Sequence, residues 1–203
     1  LKFNRCRLTD LQVATLMDCG IYEHPTIQTV YLGGNEMKDH AMAAIQNVLE
    51  SPNCSIATLG LSNPLNGDDD DAGDDDDDPQ RSYLSILWRA LPNNDSLETL
   101  HLASNQLQDD CIPALAEAVG NSSIRTLDLK SNKLTDHGIV TLAAHFPPQL
   151  ERLWLLGNPM SVPGALALLD ALAHSQTSMV LLQDLRIPTY SLLAAVPELE
   201  HIQ

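Results

Sequence analysis

One phrase returns along this chain and limits what it can fold into: apolar, x, apolar, x, x, Asn, x, apolar. It runs from Val30 to Met37, Leu100 to Leu107, Leu127 to Leu134 and Leu153 to Met160, and from Leu1 to Leu8 with Cys6 in place of Asn. Ile27, Ile56, Leu97, Ile124 and Leu150 stand three places before a copy. The first strand positions are Leu1, Val30, Leu59, Leu100, Leu127, Leu153 and Leu185, spaced by 29, 29, 41, 27, 26 and 32. A period of this length predicts stacked copies of one small unit, each touching only its neighbours.

Each part of the unit has a physical reason. Alternation such as Leu100/Leu102 and Leu127/Leu129 turns two side chains inward on a short strand and their neighbours outward. Asn35, Asn105, Asn132 and Asn158 follow the strand where the chain must turn, and an amide there can satisfy backbone groups of its own turn and the adjacent one. Asp10, Asp39, Asp109, Asp136 and Ser161 are expected as helix N-caps. Behind them Val13/Leu16, Met42/Ile45, Ile112/Leu115, Ile139/Leu142 and Ala165/Leu168 recur at i, i+3 and give each helix an apolar stripe. Apolar residues make up 44% of the chain and aromatic ones only 4%, which suits thin aliphatic layers. The expected fold is an α/β solenoid of about seven repeats, curved into a horseshoe with a parallel concave sheet and convex helices.

With these motifs on the page, the chain resembles leucine-rich repeat proteins of the ribonuclease-inhibitor type over about Leu1 to Ile187. Leu134-Thr-Asp-His-Gly-Ile-Val-Thr-Leu142 is the stretch most like that family. The family includes ribonuclease inhibitors, Ran GTPase-activating proteins, tropomodulin-like proteins and the sensor ends of immune receptors. The resemblance implies protein binding rather than catalysis.

Two departures stand out. The copy at Leu59 reads Leu-Gly-Leu-Ser-Asn-Pro-Leu, one residue short, and the spacing of 41 follows it. Inside that spacing lie Asp68 to Asp71 and Asp74 to Asp78, nine of the 27 acidic residues. Like charges repel, so residues 67–79 are expected as an extended, disordered acidic insertion within the third repeat. The whole, 1–203, is expected as one repeat domain, a fragment of a longer array.

The net charge of −16 disfavours nucleic-acid binding, which needs clustered Lys and Arg; a basic protein partner is compatible with it. No apolar stretch reaches the roughly 20 residues of a membrane span. Cys6, Cys19, Cys54 and Cys111 lack zinc or disulfide spacing and read as reduced thiols of an intracellular, cytoplasmic protein, with Cys6 and Cys111 at positions expected to be buried. Against that stand three Asn-x-Ser sequons, at Asn53, Asn94 and Asn121, all in turns where Asn and Ser are common. No phosphate-binding loop, nucleophile elbow or metal-ligand spacing is present, so no enzyme activity, cofactor or metal is expected. His40 and His137 recur at one helix-start position and mark the repeat.

The concave face is the expected functional surface. Its outward positions are small or polar in the N-terminal half apart from Tyr31, and change toward the C-terminal half to His101, Asp128, Lys130, Arg152, Trp154 and Arg186. Trp and Arg are enriched at binding hot spots. Two readings stay open for Trp154: a partner anchor, or a ring lying flat on neighbouring strands under Arg152 or Lys130. The expected function is a non-catalytic scaffold that binds a protein partner at these residues, as a subunit of a larger assembly. Regulation of a small GTPase, by resemblance to the Ran-activating branch, and acidic inhibition of a basic enzyme are the alternatives.

Overall fold

The structure is a computed structural model. It describes the backbone of residues 1–62, 79–174 and 181–183, and the side chains of 1–62 and 84–173. The acidic insertion therefore lies outside the described residues, apart from Pro79. Arg186 lies outside them too.

Six strands form one parallel sheet in sequence order: β1 (Thr29–Tyr31), β2 (Thr58–Gly60), β3 (Thr99–His101), β4 (Thr126–Asp128), β5 (Arg152–Trp154) and β6 (Leu181–Gln183). Lys2 adds a single parallel bridge to Tyr31. Helices return the chain between them: α1 (Asp10–Thr15), α2 (Asp39–Glu50), α3 (Pro79–Ala90), α4 (Ile112–Gly120), α5 (Asp136–Ala144) and α6 (Val162–His174). Strands stack about 4.8 Å apart and helices about 8–10 Å apart, so the array curves with the sheet inside.

The core follows the alternation. Val30, Leu59, Leu100, Leu127 and Leu153 stand in register at strand centres and are fully buried. Leu32, Leu61, Leu102, Leu129 and Leu155 form a second buried row. From the helices come Val13, Ile45, Leu87, Leu115, Leu142 and Leu168. Each buried aliphatic side chain contributes about 1.5–3 kcal/mol, and none can be covered by one repeat alone. β2 still pairs in register with β3 across the long spacing.

The turn after each strand is set by two neighbouring residues. The first has positive φ: Arg5, Gly34, Ser104, Ser131 and Gly157. Glycine enters this region without strain, and the others enter it at a cost. The second is the ladder Asn. Asn132 donates through Nδ2 to Leu129 O in its own turn (2.9 Å) and to Leu102 O in the preceding repeat (3.0 Å). Its Oδ1 accepts from Asn105 N (2.9 Å) and Leu107 N (3.1 Å). Asn35 makes the same contacts with Leu32 O, Phe3 O, Cys6 N and Leu8 N. Asn158 does so with Leu155 O, Leu129 O and Leu134 N. Asn105 donates to Leu61 O, but its buried Oδ1 has no partner among the described residues. The equivalent place in the preceding, shortened copy, counted from Leu59, holds Pro64, which carries no N–H.

Three expectations need correction. Asp10, Asp109 and Asp136 do not cap their own helical segments; Thr9, Gln108 and Thr135 hold those cap positions, and Lys38 holds the one before Asp39. The three carboxylates reach forward to the helix of the next repeat. Asp10 accepts from Lys38 N (2.7 Å), Ala41 N (2.9 Å) and His40 N (3.2 Å), and contacts His40 Nδ1 at 2.9 Å. Asp109 accepts from Thr135 N (2.8 Å) and Thr135 Oγ1 (2.5 Å). Asp136 accepts from Ser161 N (2.7 Å), Ser161 Oγ (2.5 Å) and Gly164 N (3.1 Å). Stacking brings the unsatisfied N–H groups at each helix start beside the acid of the preceding repeat.

The last strand is centred on Leu182, the partner of Leu153, and not on Leu185. Leu185-Arg-Ile187 fits the apolar alternation and Leu182-Gln-Asp184 does not, yet the observed centre keeps a 29-residue spacing. Cys6 is exposed and Cys111 only partly buried. Cys6 lies in the first of the described repeats, at the end of the stack, and Cys111 sits in the 3₁₀ turn Asp109–Cys111 with Sγ 2.9 Å from Gln108 O. Trp88, on α3, is only 8% exposed and belongs to the core.

Candidate partner-binding surface

Strand register orders the outward side chains into rows. One row carries Thr29, Thr58, Thr99, Thr126 and Arg152. The next carries Lys2, Tyr31, Gly60, His101, Asp128 and Trp154. The expected site residues Tyr31, His101, Asp128 and Trp154 thus fall on one line across the sheet. Arg152 is exposed and stands in the threonine row.

The line closes into a continuous strip because small and large residues alternate along it. A Cβ on Gly60 would stand 2.8 Å from Tyr31 Cε1, so the Tyr31 ring occupies the space that glycine leaves open. From there its centroid is 5.8 Å from that of His101. His101 is likewise 5.8 Å from Trp154, with Asp128 on the strand between them. His101 Nδ1 lies 3.3 Å from Asp128 Oδ2, and Asp128 Oδ1 accepts from Lys130 N at 3.1 Å. Asp128, expected to face outward, is only 6% exposed because it lies in this strip.

Cations stand at both ends. Lys130 Nζ is 4.4 Å from the Trp154 ring centroid, and Lys2 Nζ is 5.8 Å from that of Tyr31. Of the two open readings of Trp154, the contact with Lys130 is therefore present in the free chain, while the ring keeps partial exposure. The indole Nε1 is buried with no acceptor among the described residues. An unmade hydrogen bond on a buried donor costs about 1–3 kcal/mol.

Sequence reasoning missed the part played by Gly60, although a glycine between Tyr31 and His101 in register was a readable gap. It also passed over Asn94 as a turn residue. Asn94 is 3% exposed; its Nδ2 donates to Leu49 O (2.7 Å) and its Oδ1 accepts from Leu97 N (2.7 Å). Its sequon is therefore occupied by the fold, whereas Asn53 and Asn121 are exposed. Among the described residues no group of three or more His, Cys, Asp or Glu could hold a metal ion, and no helix is long and apolar enough to cross a membrane.

Residues 93–116 and 120–143 each match the family model described as Leucine Rich repeat. No curated protein sequence matches the chain. Among solved structures, the chain is similar to human 5T4 (Wnt-activated inhibitory factor 1, trophoblast glycoprotein), with 22% identity and a TM-score of 0.53. That match covers 80% of this chain and 53% of that one. It is also similar to the tropomodulin C-terminal domain of Caenorhabditis elegans, with 18% identity and a TM-score of 0.45, covering 58% of this chain and 75% of that one. The chain spans about half the length of the human 5T4 structure, and at this identity the likeness is one of fold. The repeats, the parallel sheet and its flanking helices make this chain an α/β leucine-rich-repeat solenoid.

Proposed function

We propose that this leucine-rich-repeat solenoid is a non-catalytic protein-interaction module of the ribonuclease-inhibitor type. It holds a protein partner across its concave face, at Tyr31, His101, Asp128, Lys130, Arg152 and Trp154. Arg186, also in the expected set, lies outside the described residues. Leucine-rich repeat proteins commonly serve as protein-interaction scaffolds, which supports the general role. Full α-helices on the convex side, such as the 12 residues of α2, support the ribonuclease-inhibitor type.

The observation that carries the reading is the strip itself. In a chain only 4% aromatic, Tyr31 and Trp154 lie on one outward line, joined by His101 and flanked by Lys2 and Lys130. Rigid rings already in contact lose little freedom on binding, which favours affinity. The four cysteines, none of them in a disulfide, support an intracellular setting.

The test is capture from a native lysate by the chain, by Trp154→Ala and by a deletion of residues 68–78. Loss of the captured protein with Trp154→Ala and its retention with the deletion support the concave face. The opposite pattern moves the function to the acidic insertion.

A further inference from the structure

The charge on the strand face has the opposite sign to the charge on the chain. The chain carries −16 overall. Its acids have work elsewhere: Asp10, Asp109 and Asp136 tie helix starts, and Glu151 pairs with Arg125 at 2.8 Å. On the outward rows described above the cations are Lys2 and Arg152, joined by Lys130 two residues beyond Asp128, and the one carboxylate is Asp128, whose two oxygens are taken by His101 and Lys130 N. The rest of those rows is threonine, glycine and aromatic.

Resting on the concave-face reading above, we propose that the occupant of this face is an extended acidic segment of a partner protein. It crosses the strands along the Tyr31–His101–Trp154 strip. Its carboxylates are met by Lys130 and Arg152 toward one end and by Lys2 at the other. Two observations argue for an acidic occupant. Lys130 is held over the Trp154 ring without a carboxylate partner of its own in the described contacts, so a carboxylate arriving there meets a cation already positioned. The buried, acceptor-less Trp154 Nε1–H is a donor, which a carboxylate side chain can satisfy and a Lys or Arg side chain cannot. An acidic segment is repelled by a chain of net charge −16 as a whole, so its docking depends on local cations such as these.

The experiment uses the whole chain with Trp88→Phe, so that Trp154 alone reports. Three blocked decapeptides of alternating sequence are titrated, Glu-Ser, Gln-Ser and Lys-Ser, with Trp154 fluorescence and the indole N–H resonance as readouts. The Glu-Ser peptide is expected to shift the indole N–H resonance downfield. Its affinity should fall at least tenfold in Lys130→Glu/Arg152→Glu, stay unchanged in Arg89→Glu on α3, and weaken between 50 and 300 mM salt. Circular dichroism establishes that each variant is folded. Binding of the Gln-Ser peptide as tightly as the Glu-Ser one, or of the Lys-Ser peptide alone, overturns the acidic occupant and leaves the concave face standing as the site. Glu-Ser binding that moves neither Trp154 signal and survives the double reversal overturns it too, and counts against the face itself. No binding of any peptide also overturns it; the lysate capture then decides the face separately.

Discussion

Asp136 Oδ1 accepts a hydrogen bond from Gly164 N at 3.1 Å, and a Cβ placed on Gly164 would lie 2.6 Å from that same oxygen. The acid of one repeat and the glycine of the next are thus fitted to each other, and the helix stack depends on both. Asp136→Ala leaves the first turn of α6 without its acceptor and is expected to cost about 1 kcal/mol, the usual cost of losing a cap. Gly164→Ala is expected to cost a similar amount by displacing the carboxylate, although alanine is the better helix former. Urea denaturation of each variant, and of the pair, checks this. The double variant should cost less than the two single losses together, because both break one contact.

The same contacts set a dependence on pH. For Asp10, burial raises the carboxyl pKa. The N–H groups of Ala41 and Lys38, with the side chain and N–H of His40, outweigh it and hold the group below its ordinary value. For Asp136, the Ser161 hydroxyl and N–H lower it, against a smaller effect of burial. A carboxyl whose folded pKa is depressed contributes stability that is complete above its unfolded value, about 3.9, and is lost as pH falls through the folded one. Stability is therefore expected to be flat in this respect above about pH 5 and to decline below about pH 4. Asp10→Asn/Asp136→Asn should be less stable near neutrality and decline less steeply in acid. Denaturation midpoints from pH 2 to pH 7 measure both.

Ser104 and Ser131 hold φ near +60° and +53° immediately before a ladder Asn, where Gly34 and Gly157 hold the same region. Ser131→Gly relieves that strain while adding freedom to the unfolded chain, so the net gain is expected to be small, up to about 1 kcal/mol. A rise in thermal midpoint for Ser104→Gly and Ser131→Gly checks it. Gly157→Ala should lower the midpoint, since its Cβ would also stand 3.0 Å from Ser131 Oγ.

The architecture was legible because it is periodic. Val30, Leu59, Leu100, Leu127 and Leu153 could be aligned by eye, and the hydrogen bonds of Asn35, Asn132 and Asn158 lie where a turn amide should make them. What periodicity does not carry is reach from one repeat to the next. Asp10, Asp109 and Asp136 look like caps of their own helices because an acid before a helix normally is one. Only the stacking distance shows that they serve the next. Where the pattern decays, Leu185-Arg-Ile187 kept the alternation and drew the reading away from Leu182, which the register pairs with Leu153. On the sheet, parity placed Tyr31, His101, Asp128 and Trp154 on one face. Their joining into a strip needed the register, which brings Gly60 between Tyr31 and His101.

Gly60 makes that strip a single surface, so its substitution should separate stability from binding. Gly60→Ala forces the Tyr31 ring aside, and a ring at the surface can move at small cost, about 1 kcal/mol or less. Capture of the partner is expected to fall several-fold while the urea midpoint changes little. Equal capture by Gly60→Ala would show that Tyr31 and His101 need not stay in contact.

The central claim is that the partner lies on the strands and not on the helices. Placing a photo-crosslinking amino acid at one position at a time tests it most directly, at Tyr31 and Arg152 on the sheet and at Val140 on α5, which is 44% exposed on the opposite side. The account predicts crosslinks to one and the same protein from positions 31 and 152, and none from 140. A crosslink from Val140 with silence at both sheet positions would contradict it.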